Sequence, residues 1–283
     1  MKFSDFKKKQ SELTSAIEKM AASPAKKNYE DERFWSFTKD SAGNANATIR
    51  FLPQQDLSKS PIVLTFRHGF QSAGRWFIED CPHTVGEKCP VCEQSTAIWN
   101  EDEDTARKYW RAKTYIANIL VVDDEANPEN NGKVFLWKFG KQLYDIILET
   151  LAPEDEDEEG VNVFDFDEGL NFKLKVVQKS GYNNYQKSKF VMSKTAIDED
   201  IQEQVFNSIH DLDEFLDKDK FKTYDEMLQK FTSVIGAKPV APIQETKPAK
   251  TPDPVKSEPV EDEVPWEDND DDDVDFDALL AED

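Results

Sequence analysis

The sequence predicts an α+β fold that is mainly β, a small five-stranded barrel with an inserted metal knuckle and a helical C-terminal part of the core. Three observations carry this. Six short segments rich in β-branched and aromatic residues follow one another between residues 47 and 177. One amphipathic helical segment interrupts them, and helical periodicity returns only after residue 193. All three cysteines of the 283-residue chain fall within the twelve positions from Cys81 to Cys92, with a histidine upstream.

In chain order, residues 4–20 place Leu13, Ile17 and Met20 at i, i+4 and i+7, one face of a short helix. Lys7, Lys8 and Lys9 lie in its first turns, where cations oppose the helix dipole, so this segment is expected to order against an acidic partner surface. A linker at 21–25 ends this basic arm. Strands are expected at 47–52, 62–70, 75–79, 115–122, 134–139 and 172–177, with Gly74, Asn131-Gly132 and Ser180-Gly181 in the turns. Between the last two strands, a helix at 142–151 would bury Leu143, Ile146, Ile147 and Leu151, and the acidic run 154–159 reads as a solvated loop. Helices are expected at 203–209 and 223–235, the second capped by Thr223 and ended by Gly236. From Ala237 the chain is a Pro-rich spacer, then an Asp-rich tail enclosing Phe276, Leu279 and Leu280. Three parts result: an arm at 1–25, a core at 26–236, and a spacer with tail at 237–283. The short strands, knuckle and interrupting helix together fit a barrel of the oligonucleotide-binding type.

The charge is uneven. The net charge is −23, but residues 241–283 hold 16 acidic and 3 basic residues, whereas residues 1–30 hold 7 basic and 4 acidic. A uniformly acidic chain would argue against a nucleic-acid partner. Here the acid is concentrated in the tail and one loop, so composition leaves the partner open. No apolar run is long enough for a membrane span and the first residues lack a signal peptide's apolar region, so the expectation is a protein of a reducing cytoplasm.

Cys89-Pro90-Val91-Cys92 sets two thiolates two residues apart, where one metal ion can be gripped from both sides of a turn. Cys81 supplies a third thiolate and a histidine would complete a tetrahedron, the geometry of a single structural Zn²⁺ without an open position. An odd cysteine count speaks against a disulfide framework, and three unrelated buried thiols are the simpler alternative. His68, at the end of an apolar run, is preferred as the fourth ligand. His83 stands two residues from Cys81, a separation that strains joint ligation, and remains the other candidate. His210 reads as a surface residue.

Aromatic and cationic residues alternate in four places: Arg75-Trp76-Phe77; Lys108-Tyr109-Trp110-Arg111 with Tyr115; Trp137-Lys138 with Lys141; and Lys179 followed by Tyr182 and Tyr185. Single-stranded nucleic acid calls for this pairing, since exposed bases stack on rings for roughly 1–3 kcal/mol each while cations follow the phosphates. Each ring has a plainer reading as core. Phe135, Trp137 and Phe139 share one strand face, whereas Tyr182 and Tyr185 sit in a Gly/Asn turn where no core is expected.

The chain resembles the single-stranded-DNA-binding, helix-destabilising proteins of T-even-type bacteriophages. The resemblance rests on Ala47-Thr48-Ile49-Arg50-Phe51-Leu52-Pro53, His68-Gly69-Phe70, Trp76-Phe77-Ile78-Glu79-Asp80-Cys81, Cys89-Pro90-Val91-Cys92, Ala117-Asn118-Ile119-Leu120-Val121-Val122, Phe139-Gly140-Lys141 and Gly181-Tyr182-Asn183-Asn184-Tyr185. It implies an oligonucleotide-binding fold, one structural zinc on His68, Cys81, Cys89 and Cys92, and DNA contact at Trp76, Tyr109, Arg111, Lys113, Tyr115, Trp137, Tyr182 and Tyr185, which Lys138 and Lys141 join from the residue reading. It implies cooperative head-to-tail self-association through the arm at Lys7, Lys8 and Lys9. The tail, with Phe276, Leu279 and Leu280, would dock phage replication and recombination proteins such as a polymerase, a helicase loader and a recombination mediator, in the cytoplasm of the infected host. The chain departs from the family at Ile116, where a tryptophan is expected, and in the shorter spacing from Cys81 to Cys89.

No nucleophile–base constellation and no phosphate-cradling Gly loop is present, so an enzyme is not expected. The competing reading is an acidic DNA mimic or replication adaptor without affinity for single strands.

Overall fold

A computed structural model of the protein describes residues 31–236 except 156, 158, 180 and 181. Of the described residues, 31–34 fall in a unit apart from the rest, in which Arg33 pairs with Asp31 at 2.6 Å. The expected helix at 4–20, the arm lysines, the spacer and the tail lie outside the described residues.

Eight strands build one antiparallel sheet: β1 (Ala45–Leu52), β2 (Ile62–Ser72), β3 (Arg75–Asp80), β4 (Ala112–Asp123), β5 (Val134–Phe139), β6 (Leu170–Lys179), β7 (Tyr182–Asn184) and β8 (Lys189–Lys194). β4 organises it. β5 runs along Tyr115–Leu120, so the partners of the opposite edge divide it, β2 pairing Ala112–Ala117 and β1 pairing Asn118–Asp123. β1 then pairs β6, which carries both β7 and β8. The β2–β3 hairpin turns through Ala73 (φ 50°) and Gly74 (φ 75°), two left-handed residues whose twist matches that of the flanking strands.

Alternation places the core. On β6, Leu170, Phe172, Leu174 and Val176 point inward against Ile49, Phe51, Ile119 and Phe190, while Lys173 and Lys175 point out. Helix α3 (Lys141–Leu151) buries Leu143 and Ile147 on this core, as its periodicity predicts. A second core holds Phe70, Phe77, the three cysteines and Tyr109 under α5 (Tyr224–Ile235), which contributes Met227, Phe231 and Val234. Thr223 caps α5 in a full capping box and Gly236 ends it with φ 69°.

The mainly β class with several helices agrees with the sequence expectation. Several details do not. β7 and β8 were not anticipated, because each is short and gains its order from pairing β6. Helix α4 spans Glu199–Asn207 instead of 203–209, since Asp198 caps it by accepting from the Asp200 backbone N–H. Helices α1 (Pro90–Ile98) and α2 (Glu103–Tyr109) stand where only a turn was read after Cys89. Pro90 occupies the first helical position, where no N–H is required and its fixed φ suits the helix.

Candidate metal centre and nucleic-acid interface

His68 lies within β2, opposite Glu79 of β3, and not at a strand end, because the strand continues to Ser72. β3 delivers Cys81, whose backbone N–H bonds the Phe66 carbonyl at 2.8 Å. A 3-10 turn, Pro82–Val85, leads back to Cys89, the N-cap residue of α1, and Cys92 follows in its first turn. The positive end of the helix dipole thus lies beside these two sulfurs. All four side chains are buried, and their ligand atoms lie within 4.8 Å of one another.

Nε2 of His68 is 3.3 Å from Sγ of Cys89 and 3.6 Å from Sγ of Cys92, and the Cys81 and Cys92 sulfurs are 3.6 Å apart. A tetrahedral ion with Zn-type bond lengths requires about 3.8 Å between sulfurs and about 3.5 Å between sulfur and nitrogen. The cluster can therefore hold one metal ion. Nδ1 of His68 donates to the Tyr109 carbonyl at 2.9 Å, which turns Nε2 toward the sulfurs. His83 is in the 3-10 turn with its ring against Phe66, outside the cluster.

The protons are arranged for a cation. Burial pulls His68 down, yet hydrogen bonds to Cys89 and Cys92 outweigh it and raise it to about 9. Hydrogen bonds from Cys81 and Cys89 push the Cys92 thiol down, while those same thiol interactions with Cys89 and Cys92 push Cys81 up. A metal ion would replace these shared protons. Arg111 adds an N–H donor 3.5 Å from the Cys92 sulfur. Helix α5 closes the lobe: Tyr224 donates to Glu93 of α1 at 2.7 Å, and Lys222 and Lys230 both pair with Glu79.

The predicted DNA-facing residues separate by burial. Tyr109 packs between Phe70 and Phe231, and Tyr115, Trp137 and Tyr185 belong to the core under the sheet. Tyr185 is 8% exposed although it follows the Gly/Asn turn, because the chain folds back and its ring meets Phe37. Tyr182 is 57% exposed, as that turn predicts. Trp76, Arg111, Lys113, Lys138 and Lys141 are half-buried. The cations do not share one face. Lys113 alternates in phase with Tyr115, whereas Lys138 pairs across from Ile116 and projects from the other side of the sheet. His210 is half-buried, its backbone held by Asn118 in both directions.

Tyr144 escaped the sequence reading. Its ring stacks on Tyr115 at 4.0 Å and 9°, half-buried on α3 beside the apolar stripe. A tyrosine bordering a buried helical face was the available signal. Arg50 was also unforeseen in its role. It is 1% exposed and donates to the carbonyls of Asp165 at 2.7 Å and Thr195 at 3.0 Å, pinning the loops at both ends of the β6–β8 segment.

A mainly β sheet joined to a His/Cys₃ lobe able to hold one metal ion, with rings and cations on its surface, has the make-up of a nucleic-acid-binding core. Residues 43–235 match the family model described as gp32 DNA binding protein like, and the chain belongs to that family. It is 41% identical over 241 residues to the single-stranded DNA-binding protein of Enterobacteria phage T2, covering 82% of this chain and 80% of that one. It is 42% identical over 216 residues to the protein of that name from Enterobacteria phage T4, covering 73% and 71%. Among the described residues no helix is long and apolar enough to cross a membrane.

Proposed function

We propose that the protein binds single-stranded DNA cooperatively and without sequence preference, coating and protecting it during phage DNA replication, recombination and repair. The observation that carries this reading is family membership across the folded core, where the phage relatives are named for this activity. Those names speak against the DNA-mimic reading. The accessible members of the predicted set, Trp76 and Tyr182 as rings and Arg111, Lys113, Lys138 and Lys141 as cations, would meet bases and phosphates. Tyr109, Tyr115, Trp137 and Tyr185 would act from beneath, Tyr115 by backing the half-buried Tyr144.

Zinc is the proposed metal. Three thiolates and one imidazole are a soft, closed donor set, suited to a structural ion that joins β2, β3 and α1. We also assign the sheet to the oligonucleotide-binding type, supported by the three partners of β4. The arm with Lys7, Lys8 and Lys9 would link neighbouring protomers, and the tail with Phe276, Leu279 and Leu280 would dock replication and recombination proteins. The chain is read as three parts, 1–25, 26–236 and 237–283.

A titration of tryptophan fluorescence with poly(dT) tests the reading. Saturable quenching that weakens with salt is expected, and no quenching at low salt would refute it.

A further inference from the structure

We infer that the outer face of β6 and β8 is an additional contact strip for nucleic acid, in which Lys173, Lys175, Lys187 and Lys189 hold phosphates of the bound strand. This rests on the proposed single-strand binding and adds a region that none of the aromatic–basic segments includes.

Four lysines converge on a cleft of about 410 Å³, also lined by Asp123 and Glu125. All four are exposed, and among the described residues none has an ion-pair partner. That contrasts with Lys194, Lys218, Lys220, Lys222 and Lys230, each of which is paired with a carboxylate. Four cations against two carboxylates leave the cleft positive.

Register makes the arrangement costly unless an anion enters. Lys173 and Lys189 are directly opposite across the β6–β8 pair, where like charges destabilise a sheet. Lys175 follows on the same face of β6, about 7 Å along a strand that rises roughly 3.4 Å per residue. Lys179 continues that face and is the cross-strand partner of Tyr182, so an exposed ring stands at the end of the row. Cations spaced along a line that ends on an accessible ring match a sugar–phosphate backbone with a base to stack.

The test uses the full chain with Lys173, Lys175, Lys187 and Lys189 all changed to Gln, titrated with a dT oligonucleotide across salt. Each lost phosphate contact flattens the log–log salt slope by about 0.7, so the variant should flatten it by about 2–3 and bind more than tenfold more weakly at low salt. Its melting temperature should hold or rise, since the Lys173–Lys189 repulsion is gone. Lys187→Gln alone, in a loop, should flatten the slope by about 0.7 and decides the matter if the quadruple variant folds poorly. If the unaltered protein does not bind dT, the proposed function fails. If it binds and the variants match it in affinity and slope, the strip is refuted and the function stands. Tighter binding by the variants also refutes it, and assigns the cleft to the chain's own carboxylate-rich segment.

Discussion

Nη1 of Arg111 lies 3.5 Å from Sγ of Cys92, so a cation expected to face DNA also donates to a sulfur of the metal cluster. Its guanidinium is held over the rings of Phe66, at 4.9 Å, and Trp110, at 4.7 Å. The metal centre and the proposed DNA surface therefore share one side chain. Arg111→Gln should lower metal affinity about tenfold, as loss of an outer-shell partner does, and weaken dT binding together with it. Arg111→Lys should restore little, because an ammonium cannot reproduce the planar fork or its stacking. Metal release to a chromophoric chelator at an unchanged rate would separate the two roles.

Removing a ligand should destabilise the lobe, since binding of the ion contributes folding free energy. His68→Ala, Cys89→Ser and Cys92→Ser are each expected to abolish stoichiometric zinc and lower the melting temperature by roughly 6–12 °C, the equivalent of about 3 kcal/mol in a chain of this size. His83→Ala should do neither. Full zinc content with unaltered melting in His68→Ala would overturn the ligand assignment.

Glu79 ties β3 to α5 and gives the lobe a pH dependence. Burial raises its carboxyl, but hydrogen bonds from Lys222 and Lys230 outweigh that and hold it below the ordinary value of 4.5. A carboxyl lowered in the folded state stabilises fully above its unfolded pKa and loses that contribution as pH falls through the folded one. Glu79→Gln should therefore cost on the order of 1 kcal/mol at pH 7, discounted because both lysines are partly exposed. The gap between variant and parent should narrow as pH falls below 4.5. A gap constant from pH 7 to pH 3 in thermal melts would exclude a charge origin.

Tyr182 and Tyr185 should behave oppositely despite their proximity. Tyr182→Ala removes an exposed ring and should weaken dT binding by roughly 1–3 kcal/mol with stability unaltered. Tyr185→Ala empties a core position and should cost about 3–5 kcal/mol in denaturant unfolding. Equal stability losses in the two would contradict the placement of Tyr182.

Deleting residues 1–20 should leave binding to a dT octamer nearly intact and reduce binding to poly(dT) steeply, if Lys7, Lys8 and Lys9 join neighbouring protomers. Parallel losses on both lattices would mean that the arm touches DNA directly.

Six of the eight strands, α3 and α5 were legible because alternation, helical periodicity and capping residues are local properties, and α4 was legible in kind but not in its start at the Asp198 cap. β7 and β8 were not, since three and six residues of mixed polarity become strands only when β6 offers an edge. Helices α1 and α2 were hidden for a similar reason. Each is short, and α1 is fastened to α2 by the buried bond from the Ser95 hydroxyl to the Ala106 carbonyl at 2.7 Å. Among candidate site residues the metal cluster was readable from cysteine spacing and the core reading of Trp137 from its strand face, while the burial of Tyr185 in a Gly/Asn turn was not.

The sequence by itself determined that three closely spaced thiols could share one ion with a histidine and that strands dominate the core, because ligand chemistry and side-chain alternation are written in residue order. It also placed Tyr182 outside the core. The fold chose His68 over His83. Only the tertiary structure decided that Lys113 and Lys138 leave opposite faces, that Tyr144 stacks on Tyr115, and that Lys173 confronts Lys189. Those relations depend on which strand pairs with which and in what register. A shift of one residue reverses every face, and no local pattern specifies that shift when both partners alternate equally well.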